Sequence, residues 1–217
     1  MASDFDVDSL QRALPPFELS LSAGPENILT NFLAESKISF DTLSLSARND
    51  SLITAGARVL GFVTGKTRLD SITLDMRQRG NLLVYNLAVN NEPGTFDQFA
   101  HINAKGFIGA DKFALLFNQR NIKEETGFSF GSVVTMPEAN TFSMRFVPYH
   151  PVIGYKDWEI NRDNFISYNI LTKHLDANID LKNPTSSLRL FTEHNENDST
   201  QEAIRLQVKD KSEAKRS

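Results

Sequence analysis

One short pattern, returning at a fixed interval, constrains this chain more than anything else in it. Phe40-Asp41-Thr42-Leu43-Ser44-Leu45-Ser46-Ala47 reads as apolar, Asp, Ser/Thr, aliphatic, Ser/Thr, Leu, any residue, then small or Met. Leu69-Asp70-Ser71-Ile72-Thr73-Leu74-Asp75-Met76 repeats it 29 positions later. A weaker copy, Phe96-Asp97-Gln98-Phe99, begins 27 positions further on. A period of this size marks stacked units, each too small to bury its apolar face alone. Within each copy, apolar and polar residues alternate, which is the period of a strand. The expectation is similar strands laid side by side, with Asp41 and Asp70 at turns.

Other segments extend this reading. Val7 to Leu14 predicts a short helix, stopped by Pro15-Pro16. Phe17, Leu19 and Leu21 alternate as a strand. Ile28, Leu29, Phe32 and Leu33 lie on one face of a short amphipathic helix within Pro25–Ser36. From Ile38 onward the pattern is almost wholly strand. Leu83, Tyr85, Leu87 and Val89 alternate, as do Phe113, Leu115 and Phe117, then Phe128 and Phe130, then Phe142, Met144 and Phe146. Later come Leu175, Ala177, Ile179 and Leu181, and after them Ile204, Leu206 and Val208. Turns fall at Arg79-Gly80-Asn81, Gly109-Ala110-Asp111, Met136 to Asn140 and Asn183-Pro184. The chain is therefore expected to be all-β, with one or two short N-terminal helices. Residues 1–208 form a single repeat-type β region, and residues 209–217 a tail that has lost alternation.

Composition narrows the function classes. The formal net charge is -4 and basic residues are scattered, so there is no electrostatic footprint for nucleic acid. There is no cysteine, which excludes disulfides and thiolate metal sites. No apolar run reaches the roughly 18 residues needed to span a bilayer. The acidic N-terminus lacks the basic and apolar regions of a signal peptide. The 16 Phe residues stand against 4 Tyr and 1 Trp. Phe supplies apolar area without a polar atom, so this excess serves a core or an apolar surface.

Four motifs suggest chemistry and lose it in context. Gly127-Phe128-Ser129-Phe130-Gly131 has the spacing of a serine-hydrolase elbow, with His174 and His194 downstream. That elbow needs a strand-to-helix turn, whereas here Ser129 sits among alternating Phe residues. Gly65-Lys66-Thr67 lacks the earlier glycine of a phosphate loop, since Leu60 stands there. His101, His150, His174 and His194 share no ligand spacing, and Glu193–Asp198 lacks the central glycine of a calcium loop. No catalytic residue, metal site or cofactor is expected.

Four strings resemble the TamB family, within the AsmA-like group of Gram-negative bacteria. They are Asn86-Leu87-Ala88-Val89-Asn90-Asn91-Glu92-Pro93-Gly94-Thr95-Phe96-Asp97, Tyr149-His150-Pro151-Val152-Ile153-Gly154-Tyr155-Lys156-Asp157-Trp158-Glu159-Ile160-Asn161, Lys173-His174-Leu175-Asp176-Ala177-Asn178-Ile179-Asp180-Leu181 and Leu190-Phe191-Thr192-Glu193-His194-Asn195. The resemblance covers most of positions 8 to about 210. It implies an elongated, curved β-sheet, the β-taco, with an apolar groove along its length. It also implies a periplasmic location in a parent protein anchored to the inner membrane. The activity implied is phospholipid transport between the membranes, or outer-membrane protein assembly with a β-barrel partner. The family's membrane anchor and barrel-contacting region have no match in this sequence, so the chain reads as an internal segment.

The expected function is non-enzymatic. The acyl chains of phospholipids would lie against Leu83, Tyr85, Leu87, Val89, Phe113, Leu115, Phe117, Phe128, Phe130, Phe142, Met144 and Phe146. An acyl chain has no hydrogen-bonding group, so a groove for it needs only area and dryness. The alternative is a closed β-sandwich that binds a partner protein or glycan through its loops. A hydrolase using Ser129 ranks last.

Overall fold

The computed structural model of the protein describes residues 6–91, 100–194 and 202–210. The third copy of the repeat, at Phe96–Phe99, lies outside them, as do positions 195–198 of the acidic loop. The described chain is mostly antiparallel β-sheet with two short helices, so the all-β expectation holds. No helix among the described residues is long and apolar enough to cross a membrane. The chain divides into two compact units, the first taking residues up to 110 and 114–127, the second 111–113 and 128 onward.

In chain order the elements begin with α1 (Val7–Ala13), β1 (Phe17–Ala23), α2 (Ile28–Ala34), β2 (Ile38–Ser39) and β3 (Thr42–Asn49). Then come β4 (Ile53–Thr64), β5 (Thr67–Arg79), β6 (Leu82–Asn90), β7 (His101–Ile108) and β8 (Lys112–Arg120). Next are β9 (Thr126–Glu138), β10 (Thr141–Phe146), β11 (Val152–Ile153), β12 (Lys156–Asp157) and β13 (Glu159–Ile160). The last are β14 (Phe165–Asn169), β15 (Leu175–Lys182), β16 (Ser186–His194) and β17 (Glu202–Asp210). Strand β17 therefore runs two residues past the β region expected from sequence.

In the first unit the 29-residue interval is a matter of register. Strand β4 pairs antiparallel with β3 on one side and β5 on the other. Leu43 lies opposite Val59, which lies opposite Ile72, and Leu45, Ala57 and Leu74 form the next row. Equivalent repeat residues thus share a row and a face, two strands apart. The rows continue through Val89 to Ile102 and through Leu87 to Ala104. Because side chains alternate across a pleat, the apolar residues fall on one face. The opposite face carries Ser20, Ser46, Asp75, Asn86 and Lys105. Asp41 sits at a bend as expected, but Asp70 lies inside β5. The β4–β5 turn comes earlier, at Gly65-Lys66, with Gly65 in the left-handed region at φ 58°. That Gly-Lys-Thr stretch is a hairpin, since Thr64 pairs with Thr67.

Helix α1 is capped by Asp6, whose carboxylate accepts from the Asp8 N–H at 3.0 Å. It docks through two buried amides that occupy apolar-phase positions at the end of the rows. Asn49 Nδ2 donates to the carbonyls of Gln11, Leu14 and Pro15 at 3.0–3.2 Å. Gln78 Nε2 donates to Asp8 at 2.6 Å, and its Oε1 accepts from the Ile53 N–H at 3.0 Å. Val7 is buried beneath the helix. Helix α2 forms within the expected segment. Asn27 and Thr30 cap it reciprocally at 3.1 Å, yet Ile28 is 86% and Phe32 76% exposed. Leu33, on the same stripe, is half-buried.

Candidate functional site: an apolar hollow

The second unit is built on the pairings β9–β10–β14–β15–β16–β17, all antiparallel. Its alternation also segregates the faces. Ile179, Leu190 and Leu206 form one cross-strand row, and Leu181, Leu188 and Val208 the next. Ile160 of β13 stands opposite Leu181, and Ile153 of β11 opposite Phe128. All of these side chains but Val208 border a hollow of about 420 Å³. The rest of its lining is Phe130, Gly131, Phe146, Pro148, Pro151 and Ile166. Every lining side chain is hydrocarbon or absent, so no hydrogen-bonding side-chain group meets the interior. An occupant made of methylenes loses nothing by entering, whereas a polar one must leave its water unreplaced.

Polar groups behind the lining hold it in shape. Strand β10 pairs with β14 as far as Met144 and Ile166. Two pairs further on, the buried Asn164 takes over the ladder with its side chain. Its Oδ1 accepts from the Phe146 N–H at 2.7 Å. Its Nδ2 donates to the carbonyls of Phe146 at 3.2 Å and Asn161 at 2.7 Å. Asn161 does the same for β15, accepting from the Asp180 N–H at 2.8 Å and donating to the Asn178 carbonyl at 3.2 Å. The Trp158 indole N–H donates to the Ile153 carbonyl at 3.2 Å, tying β11 across its turn. Two asparagines and a tryptophan thus fix the backbone from which Phe146, Ile179 and Ile153 enter the hollow.

Three of the twelve expected groove residues line this hollow: Phe128, Phe130 and Phe146. Met144 stands between Val134 and Ile166, and Phe142 beside Tyr168 at an exposed strand end. Phe113, Leu115 and Phe117 are half-buried on β8. Leu83, Tyr85, Leu87 and Val89 line up along β6 in the first unit, opposite Gln78, Met76, Leu74 and Ile72. The most constrained of them is Tyr85. Its hydroxyl donates to the Ala114 carbonyl at 2.9 Å, and burial pushes its ionisation above the usual phenol value. It crosses Gly106, where a Cβ would collide with that same carbonyl. The sequence reading left out most of the hollow: Ile153, Ile160, Ile166, Ile179, Leu181, Leu188, Leu190 and Leu206. The late alternation of Ile179, Leu181 and Leu206 was the clue.

The other motifs take structural places. Ser129 lies within the continuous strand β9, opposite Val152, with no strand-to-helix turn. His101 contacts Asn90 at 2.8 Å and Glu124 at 3.2 Å. Among the described residues no three His, Asp or Glu side chains gather where they could hold a metal ion. No family model, curated protein or solved structure matches this chain.

Proposed function

We propose that this chain is a non-catalytic periplasmic segment of a TamB-like, AsmA-like protein. Its apolar faces form a groove that carries the acyl chains of phospholipids between the inner and outer membranes. The observation that supports the reading above all is the 420 Å³ hollow lined wholly by hydrocarbon. Burial supports it too. Among the described residues only Val7, Phe40, Ala100, Pro151, Ile160, Ala177 and Ile179 are buried apolar side chains. A sealed sandwich of this length buries far more, because both inner faces close on each other. The four strings resembling the family supply the biological setting, including an outer-membrane β-barrel as the partner in assembly.

The mechanism asks little of individual residues. Each methylene that leaves water contributes about 0.8 kcal/mol, wherever along the face it lands. A chain held by such additive, non-directional contacts can slide, since no single position holds it tightly. The headgroup has no polar partner in the hollow and stays in solvent.

Native mass spectrometry of the purified protein tests this directly. Co-purifying phospholipid, or uptake from vesicles with diacyl lipid in preference to a soluble glycan, is the expected result. A protein that stays lipid-free beside lipid-laden vesicles would sink the reading.

A further inference from the structure

Basic residues that are far apart in the sequence are gathered by strand register onto the polar face of the first unit. Arg58, Arg77, Arg79 and Lys105 all stand on the side of the sheet that carries Ser20 and Ser46. Each is exposed. Among the described residues none of the four forms an ion pair. Against them on this face stand Glu18 and Asp75, so the face is basic on a chain whose net charge is -4. The face is also hollowed. Gly56 adds no side chain to the middle of β4, and two depressions of about 410 and 440 Å³ meet there, both bordered by Ser46, Gly56 and Asp75. Together they make one trough. Its floor is the row Ser20, Ser46, Gly56, Asp75 and Asn86. That row crosses five strands, about 19 Å at a strand spacing of about 4.8 Å. Arg58 and Thr73 lie on one side of it, Arg77 and Thr54 on the other. Strands β3 to β6 are each paired on both sides, so the trough lies in the body of the sheet and not at an edge.

We infer that this trough binds a linear glycan that carries carboxylates. The side chains select the class. An arginine guanidinium pairs with a carboxylate through two parallel hydrogen bonds, and Arg58 and Arg77 have that capacity free on either side of the floor. Serine and threonine hydroxyls both donate and accept, as sugar hydroxyls do. Asp75 decides between this ligand and a uniform polyanion. An ionised carboxylate only accepts hydrogen bonds, so it repels a ladder of phosphates but takes a proton donor from a sugar hydroxyl. A flat anionic membrane surface would gain nothing from the trough and would meet Asp75 as a like charge.

Isothermal titration of the full chain with oligogalacturonate tests the inference, with malto-oligosaccharide as the neutral probe and polyphosphate as the uniform polyanion. The expected result is binding of oligogalacturonate alone, weakened by salt. Arg58→Gln and Arg77→Gln should each weaken it about tenfold, the effect of losing one charge-assisted pair. Lys156→Gln, which removes an exposed cation from the second unit, should leave it unchanged. Gly56→Val should abolish binding by filling the floor. The added Cβ meets only the Ser46 hydroxyl closely, at 3.1 Å, and that group can rotate away. A valine within a strand should leave the melting temperature unchanged or raised. Asp75→Asn gives a test of sign, since it weakens a glycan and strengthens a polyanion. No binding of oligogalacturonate overturns the inference. So does equal or tighter binding of either other probe, a gain in affinity with Asp75→Asn, full binding by a folded Gly56→Val, or a loss with Lys156→Gln as large as with Arg58→Gln.

Discussion

At single residues, the polar atoms near the apolar faces decide more than the apolar ones do. Gly106 leaves the space that lets Tyr85 reach the Ala114 carbonyl. Gly106→Ala forces the strands apart, and overpacking of this kind costs about 1–3 kcal/mol. A fall in the urea midpoint without change in slope is the expected readout. Tyr85→Phe keeps the ring and loses one hydrogen bond, about 1 kcal/mol. The phenol's raised pKa gives that loss a pH signature. The folded state favours neutral Tyr85, so its contribution is whole below the unfolded phenol value near 10 and fades as pH rises through the folded value. The wild type should lose stability in that alkaline window more steeply than Tyr85→Phe. Stability profiles that run parallel would refute the assignment. The sequence placed Tyr85 on the right face by its alternation. It could not reveal Gly106 as its partner, because that pairing depends on the register of β6 on β7, nor the Ala114 carbonyl, which depends on where β8 returns.

At the level of elements, local patterns were readable and side-chain substitutes for the ladder were not. Helix α1 and strand β1 follow from Pro15-Pro16 and from the alternation after them. The 29-residue interval corresponds to one hairpin, which is why Leu43 and Ile72 share a row. Asn49, Gln78, Asn161 and Asn164 look like loop residues or exceptions to the pattern in sequence. In space they satisfy backbone groups that no strand reaches. Asn164→Leu should therefore be costly despite its added apolar area. It strands the N–H and C=O of Phe146, at about 1–3 kcal/mol for each buried group left unpaired. Gln78→Ala should release α1. Hydrogen exchange would then speed up at α1 and at the Ile53 amide while the β5–β6 ladder stays protected. Uniform loss of protection would mean that α1 is integral to the first unit and not an attached cap. Helix α2 shows the limit of periodicity: its stripe is real, but nothing in the stripe says whether a partner surface exists.

At the scale of the whole molecule, the question is whether the apolar faces serve as a core or as a surface, and one pair of substitutions separates these. Phe130 lines the hollow and is half-buried, whereas Ile179, in the same lining, is buried. Replacing Ile179 with Asp puts a carboxylate where water cannot follow. Burying an isolated charge costs far more than the roughly 1.5–3 kcal/mol a buried aliphatic side chain contributes, so Ile179→Asp should unfold the second unit. Phe130→Asp differs because the new carboxylate can turn towards solvent while the hollow is empty. The fold should survive with a modest drop in melting temperature. An acyl chain entering the hollow would then have to strip water from the carboxylate, so bound phospholipid should fall several-fold. Phe117→Asp, on half-buried β8, makes the same comparison in the first unit. Thermal melts and lipid content measured on one preparation of each variant decide the matter. If Phe130→Asp and Ile179→Asp both unfold the protein, the hollow is core and the groove reading fails. If Phe130→Asp folds and keeps its full lipid content, the acyl chains lie elsewhere and the hollow is not their path.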